Sequence, residues 1–182
     1  MDNIEDKKFD IDISEIFYHF YGVDMDLTIR KFSMNDLDSM HELLSDEDVM
    51  RYIEPVFTRE KTKEFLTSAG LSEKPLIYAV DNNGDFVGYV IYHPFDNDSI
   101  EIGCVLQKRF WGKGYAQKLT EMLIDKAFEL KKDVIIECST EQEATKHIAL
   151  KCGFRLIESR DGLVVFKLEK SKTLLTKKVY LY

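Results

Sequence analysis

The chain has 182 residues, is 45% hydrophobic and carries a net charge of −8, which suits one globular domain with a sizeable core. Its acidic balance argues against nucleic acid as a partner, and no run of residues is long and apolar enough to span a membrane. The N-terminus does not resemble a signal peptide, so we expect a cytoplasmic protein. The three cysteines form no CxxC motif and the four histidines lack metal-ligand spacing, so we expect no metal site.

Two charged terminal segments flank the predicted domain, which covers residues 27–169. Residues 1–26 form an acidic extension, and residues 170–182 form a basic tail. The tail is expected to add an edge strand to the sheet or to make a dimer contact. The extension contains a short apolar face that predicts a docked helix, formed by Ile13, Ile16, Phe17 and Phe20.

The first part of the domain alternates between a strand and helices. Residues 27–32 alternate in polarity and predict a strand, and Ser33 is a suitable N-cap for a helix that extends to about residue 44. A second helix is predicted to begin near Thr58. The connection at 45–57 is rich in apolar and aromatic side chains. These residues either fill the core or line a pocket, and the sequence leaves both alternatives open.

The middle of the chain predicts an antiparallel meander followed by a crossover. Strands are expected at 75–81, 86–93 and 99–107, with an Asn-Gly turn between the first two. Apolar residues at steps of three and four predict a helix at 115–130. The next strand, 134–139, is then parallel to its predecessor. The last predicted elements are a helix at 140–151 and a hairpin formed by 154–159 and 163–168.

The turn at 109–114 joins the central strand to the following helix and contains two glycines and two cations. Unpaired N–H groups and the helix dipole favour an anion there, and glycine permits close approach, so we expect a cofactor with a pyrophosphate. The turn is not a Walker A loop. A dinucleotide fingerprint is disfavoured because Gln117 occupies the sixth position and the first glycine lies five positions after the end of the strand.

Two motifs resemble one protein family. Arg109-x-x-Gly112-x-Gly114-x-Ala116 resembles the acyl-CoA pyrophosphate loop of the GNAT superfamily of N-acetyltransferases. The segment from Glu141 to Phe154 resembles the next helix of that superfamily and the Gly-Phe pair that follows it. The residues around Glu101 are similar to the branch that acetylates protein N-termini and small amines. The resemblance covers residues 27–169 and implies an α/β (α+β) fold with a mixed, mostly antiparallel sheet of six to seven strands and about four helices.

The resemblance also implies the residues that act. Glu101 is the expected general base, although an exposed or salt-bridged strand residue is the alternative reading. Two departures stand out. Ala149 and Leu150 lie where many members of the superfamily carry a tyrosine acid, and Gln142 lies where the family usually has an asparagine. The residues expected to bind the cofactor are Val105, Leu106, Arg109, Phe110, Trp111, Gly112, Lys113, Gly114, Tyr115, Ala116, Gln142 and Thr145.

The implied activity is transfer of an acetyl group from acetyl-CoA to a primary amine by direct attack in a ternary complex. The acceptor is either a small amine or a protein N-terminus, and a homodimer is the habit of the family. One alternative is a non-catalytic acyl-CoA-binding module, because the tyrosine acid is missing. A nicotinamide-dependent reductase is the other, which Gln117 and the length of the turn disfavour.

Overall fold

The computed structural model describes the backbone of residues 16–19 and all of residues 26–170. Its described strands form one eight-stranded sheet in the order β1-β2-β3-β4-β5-β6-β8-β7. The strands are β1 Ile16–His19, β2 Asp26–Arg30, β3 Ile77–Asn82, β4 Asp85–Pro94, β5 Ser99–Leu106, β6 Asp133–Ser139, β7 Arg155–Arg160 and β8 Leu163–Leu168. The α-helices are α1 Leu37–Leu44, α2 Glu47–Met50, α3 Arg59–Phe65, α4 Tyr115–Glu129 and α5 Glu143–Lys151.

This architecture confirms the predicted mixed α/β class. Every neighbouring pair of strands is antiparallel except β5 and β6, which are parallel as predicted. The hairpin turns lie where the sequence predicts them, because Asn83 and Gly84 have φ of 51° and 85°, and Asp161 and Gly162 have φ of 47° and 79°.

The N-terminal extension adds the eighth strand. Ile16–His19 pairs antiparallel with β2, so the helix predicted around Ile16 and Phe17 is wrong for this segment. Pairing with β2 provides hydrogen-bond partners for backbone N–H and C=O groups that a short surface helix would have to pair within itself. Ile13 and Phe20 lie outside the described residues, as does the tail beyond Lys170. Within residues 26–170, no helix has the length and apolar content to cross a bilayer.

Helices cover both faces of the sheet. Leu119 and Leu123 of α4 belong to the same buried cluster as Ile100 and Ile102 of β5. On the opposite face, residues of α1 and α3 share a second cluster with alternate residues of β3 and β4 and with Val105 of β5. Side chains of β5 therefore alternate between two separate cores.

A buried ionic cluster holds the start of α1 against the sheet. Arg30 of β2 donates to Asp36 through Nη2 (2.7 Å) and Nη1 (3.0 Å), and to Asp81 of β3 through Nε (2.5 Å). Ser33 and Asp36 form a capping box at the first turn. Burial alone would raise the pKa of Asp36, but the hydrogen bonds from Arg30 and Ser33 outweigh it and hold that pKa below its usual range.

Strands β4 and β5 approach unusually closely at Gly88. The register between β3 and β4 shifts here and leaves Val87 as an extra residue on β4. Gly88 has a φ of +153°, and a β-carbon on it would lie 2.1 Å from the carbonyl oxygen of Val105. Because the obstacle is backbone rather than a flexible side chain, only glycine fits at this position.

Replacing Arg30 tests the ionic cluster. We expect Arg30→Met to lower the free energy of unfolding by about 2–3 kcal/mol at neutral pH, because it leaves two carboxylates without their partner. The control is Arg59→Met, whose exposed pair with Asp38 should contribute less than about 1 kcal/mol. Because the pKa of Asp36 is lower in the folded state than in the unfolded state, its ionised form stabilises the fold fully only above the unfolded pKa. The difference between the variant and the parent should therefore shrink as the pH falls through the folded pKa of Asp36. Denaturant melts at several pH values measure both quantities, and equal losses in the two variants would contradict this role.

Replacing Gly88 tests the close approach. Gly88→Ala should destabilise the fold by about 3 kcal/mol or more, since it adds a collision with Val105 to the strain of a positive φ. Gly84→Ala is the matched control, because Gly84 has a φ of 85° with no atom within 4 Å of a built β-carbon. That control should cost only about 1 kcal/mol. Similar melting temperatures for the two variants would show that β4 and β5 do not constrain each other here.

Candidate functional site

Strands β5 and β6 separate shortly after they begin to pair. Their parallel register runs only from Ser99↔Asp133 to Glu101↔Ile135, although both strands continue. A cleft of about 970 Å³ lies between the separated ends. Residues on both faces of the sheet line it, so the cleft passes through the sheet. Its volume is at the upper end of the range for ligand pockets.

The backbone groups of β5 that face the cleft belong to alternate residues. Gln107 N–H donates to Val87 O at 2.9 Å, which makes these two a hydrogen-bonded pair. By the alternation of an antiparallel ladder, the N–H and C=O groups of Val105 are then directed at β4, whereas those of Cys104 and Leu106 are directed at β6. The predicted direction of the Val105 backbone therefore needs correction. Val105 and Cys104 both line the cleft, but the N–H that faces it belongs to Cys104.

The turn after β5 closes one end of this row of backbone groups. The indole N–H of Trp111 donates to Leu106 O at 2.8 Å, so Leu106 presents only its N–H to the cleft. Phe110 contacts Tyr115 edge to face, with ring centroids 5.2 Å apart. These two contacts fix the turn between the end of β5 and the start of α4.

The N-terminus of α4 lies at the cleft without a side-chain cap. Its N-cap is Gly114, with a φ of 87°, and no side chain accepts a hydrogen bond from the first turn. The N–H groups of Tyr115 and Ala116 therefore remain available to an anion. Gly112 has a φ of 69° with open space around it, so the backbone conformation itself requires glycine there. Lys113 is exposed and makes no ion pair with another described residue.

Helix α5 supplies the opposite wall. Gln142 is its N-cap residue and makes no side-chain capping bond. Thr145 also lines the cleft. The threonines Thr62 and Thr120 donate to carbonyl oxygens four residues earlier, whereas Thr145 makes no such bond among the described residues. Its hydroxyl hydrogen is therefore free to be donated to a ligand, whereas a back-bond would have left the hydroxyl only as an acceptor.

The structure brings most of the predicted cofactor residues to one cleft. Arg109 and Lys113 are the exceptions and do not line it. Arg109 donates through Nη2 to Phe86 O (3.3 Å), and its guanidinium lies over the ring of Phe110. Its guanidinium thus fastens the turn to β4, and its predicted contact with the cofactor stays a prediction. The predicted residues that line the cleft are Val105, Leu106, Phe110, Trp111, Gly112, Gly114, Tyr115, Ala116, Gln142 and Thr145.

Glu101 lies beside the cleft, on the last residue pair before β5 and β6 separate. Only 20% of its side chain is exposed. Burial raises the pKa of Glu101, the charge of Glu137 on β6 raises it further, and His93 on β4 opposes both effects. His93 is the cross-strand partner of Glu101, with Nε2 3.5 Å from Oε2. Glu101 is therefore paired with a titratable group, and its proton affinity is tuned by its surroundings.

Several residues at the site were missed by the sequence reasoning. Spacing alone leaves His93 as one of four scattered histidines, and only the register between β4 and β5 places it opposite Glu101. Glu137 is a wall residue of β6. The segment 45–57 was predicted either to fill the core or to line a pocket, and it does both. Tyr52 and Ile53 line the cleft, whereas Met50 and Phe57 are buried in the core.

The cysteine thiols and the placement of potential metal ligands restrict which reactions the cleft can support. Burial raises the pKa of Cys104 to about 12, and it also raises the pKa of Cys138. Neither thiol is therefore a ready nucleophile at neutral pH. In the described part of the chain, no group of three His, Cys, Asp or Glu side chains is placed to hold a metal ion.

Comparison with known proteins identifies relatives over most of the chain. YnaD of Bacillus subtilis (strain 168), described as an uncharacterised N-acetyltransferase, is 28% identical over 134 residues, which cover 71% of this chain and 79% of that protein. A GNAT-family acetyltransferase structure from Bacillus anthracis has a TM-score of 0.72 at 26% identity, covering 80% of this chain and 96% of that one. Spermidine N-acetyltransferase from Vibrio cholerae, solved with CoA and spermine, shares the fold with a TM-score of 0.68 at 20% identity, covering 81% and 98%.

A family model described as an acetyltransferase (GNAT) domain matches residues 26–155, from β2 to the start of β7. This span contains the separated strands, the uncapped start of α4 and both walls of the cleft. The chain therefore belongs to the GNAT family of acetyltransferases, whose acyl donor is acetyl-CoA.

Proposed function

We propose that this acetyltransferase moves the acetyl group onto a primary amine by direct attack, with donor and acceptor bound together and with Glu101 as general base. The observation that carries the proposal is the cleft through the sheet. It has an anion-binding helix start on one face, and a tuned carboxylate lies beside its other face. The donor and the acceptor can thus enter from opposite faces and meet between β5 and β6.

The residues of this chain that would hold acetyl-CoA fall into three groups. The N–H groups at the start of α4 and the charge of Lys113 suit the pyrophosphate. The N–H groups of Cys104 and Leu106 suit the amide and thioester oxygens, and one such donor is typically worth about 3 kcal/mol of barrier. Gln142 and Thr145 supply polar side chains from the α5 wall.

The charges beside the acceptor face favour a cationic amine. Asp48 is already paired with Lys108 and Arg51. Glu137 makes no ion pair with another described residue, and Glu101 contacts only the titratable His93. Two carboxylates thus remain to attract an ammonium group, and Tyr52 and Ile53 can contact its apolar part.

Direct attack is favoured over an acyl-enzyme because the cleft offers no activated nucleophile. Both cysteines that line it have raised pKa values. An acceptor ammonium must lose one proton before its nitrogen can bond to the carbonyl carbon, and Glu101 takes that proton. The carbon–sulfur bond then breaks, and the sulfur keeps the bonding electrons.

The leaving sulfur needs no tyrosine. Ala149, in the place of that acid, is fully buried in the core under α5, so no acid acts from this position. A thiol with an ordinary pKa near about 8.5 leaves readily as a thiolate. The amide nitrogen loses its second proton in the same step, and the sulfur can receive it.

The acceptor amine belongs to one of two classes, which differ in size. Spermine was bound in the Vibrio cholerae enzyme, which makes small polyamines one class to test. A peptide with a free N-terminus is the other class, and the branch resemblance around Glu101 favours it equally. A panel of both, with release of CoA thiol as the readout, tests the proposal. Turnover of acetyl-CoA that no amine accelerates would contradict it. The homodimer stays a prediction.

The role of Glu101 predicts a pH-dependent loss. Glu101→Gln should lower kcat/KM by about 10²- to 10⁴-fold at neutral pH, because no group then accepts the ammonium proton. The loss should narrow at high pH, where more of the acceptor is already neutral. CoA affinity should be unchanged, and Glu129→Gln on the exposed face of α4 is the control. Full turnover of the variant across the pH range would rule out the assignment.

The cofactor site predicts a selective loss of affinity. Gly114→Ala should weaken CoA binding about tenfold, because a β-carbon disfavours the positive φ that directs the first N–H groups of α4 into the cleft. Gly84→Ala introduces the same type of strain in the β3–β4 turn, away from the cleft, and should bind CoA normally. Calorimetry measures both affinities, and equal affinities would place the pyrophosphate elsewhere.

A further inference from the structure

His93 and Glu101 form a paired arrangement that the family motifs did not reveal. They are cross-strand partners on β4 and β5, with Nε2 of His93 3.5 Å from Oε2 of Glu101. Following the alternation set by Gln107 and Val87, they occupy a hydrogen-bonded pair of the ladder. The backbone therefore holds the two side chains next to each other on the same face of the sheet.

The other ring nitrogen of His93 fixes the tautomer. Nδ1 lies 3.0 Å from the carbonyl oxygen of Pro94, which can only accept a hydrogen bond. Nδ1 therefore carries hydrogen, and Nε2 of the neutral ring has a lone pair directed at Glu101. A lone pair and a carboxylate repel each other, so the pair becomes attractive when it holds one proton between Nε2 and Oε2.

The surroundings leave the two side chains to interact with each other. Both members of the pair are mostly buried, with 23% of His93 and 20% of Glu101 exposed, and Glu137 on β6 adds a negative charge near Glu101. The next charged groups across the sheet, Lys167 and Asp133, are paired with each other at 3.0 Å. A proton that reaches Glu101 therefore has Nε2 of His93 as its neighbouring acceptor.

Gly103 places the pair next to the cleft. It is two residues beyond Glu101 on the same face of β5, and it lines the cleft with Ile91 and Glu137. A β-carbon on Gly103 would lie 3.1 Å from Cδ1 of Ile91, so a larger residue would crowd this wall of the cleft. Glu101 therefore lies one step along the same strand face from residues that a bound amine would contact.

The reaction requires an outlet for one proton. An ammonium acceptor and acetyl-CoA yield an amide, a thiol and one proton, and that proton must leave Glu101 before the next turnover. We propose that His93 is the positioning residue that completes the base: Glu101 takes the ammonium proton, Nε2 of His93 accepts it from Oε2, and the imidazolium releases it to water. This inference rests on the proposed function and names a residue that the motifs do not assign.

The first test needs no turnover. In the full-length protein labelled with ¹⁵N at histidine, Nδ1 of His93 should carry hydrogen, and the Nε2 signal should shift in Glu101→Gln, because that variant lacks the carboxylate that faces this nitrogen. An unchanged Nε2 signal in the variant would overturn the inference, even if no acceptor amine is ever found.

The second test uses the pH profile of kcat/KM with an active amine. His93→Gln keeps an amide that can donate to Glu101 but cannot carry the proton, so the plateau should fall about tenfold. The acid limb should also move to lower pH, because it then reports Glu101 alone. A purely structural role would lower the plateau without moving the acid limb, and that result would overturn the inference.

Two further variants test whether the effect of His93→Gln comes only from misfolding. His93→Asn can still donate to Pro94 O but cannot reach Glu101, and it should reproduce the shifted acid limb. His41→Gln changes a histidine that contacts Thr62 between α1 and α3, and its profile should match that of the parent. Absence of thiol release with every amine would contradict the proposed function alone, since the histidine ¹⁵N signals still decide the pairing.

Discussion

The short pairing between β5 and β6 is the constraint on which this molecule depends. Only three residue pairs join the two parallel strands, so the sheet is continuous at one end and open at the other. The opening is stable because each strand is held on its far side, β5 by β4 and β6 by β8. Backbone N–H and C=O groups that would be hydrogen-bonded in a closed sheet therefore face the cleft.

The neighbouring features follow from that opening. The turn after β5 must reverse direction at the mouth of the cleft, and its glycines let α4 begin there without a side-chain cap. Gly88 permits β4 to approach the backbone of Val105 closely. Glu101 is the last residue of β5 to pair with β6, so its carboxylate lies beside the point at which the two strands separate. The proposed binding and proton-transfer roles thus depend on one distortion of one sheet.

Sequence patterns predicted the elements well because each pattern has a local cause. The Asn-Gly and Asp-Gly turns, the Ser33 cap and the periodicity of α4 depend on neighbouring residues alone. The direction of backbone groups along β5 depends on the register with β4, which is set by the tertiary pairing of the two strands. No local pattern reveals that register, so the sequence alone does not distinguish Val105 from Cys104 as the residue whose N–H faces the cleft. Similarly, Arg109 has the charge of a phosphate ligand, but its contact with Phe86 O is set by tertiary packing.

Amide hydrogen exchange along β5 tests the account most directly. On this account the N–H groups of Cys104 and Leu106 face the cleft, whereas those of Gly103 and Val105 are bonded to β4. Addition of CoA should therefore slow exchange at Cys104 and Leu106 and leave Gly103 and Val105 nearly unchanged. Uniform protection of all four amides, or none at any of them, would contradict the claim that the separated strand presents its free backbone to the cofactor.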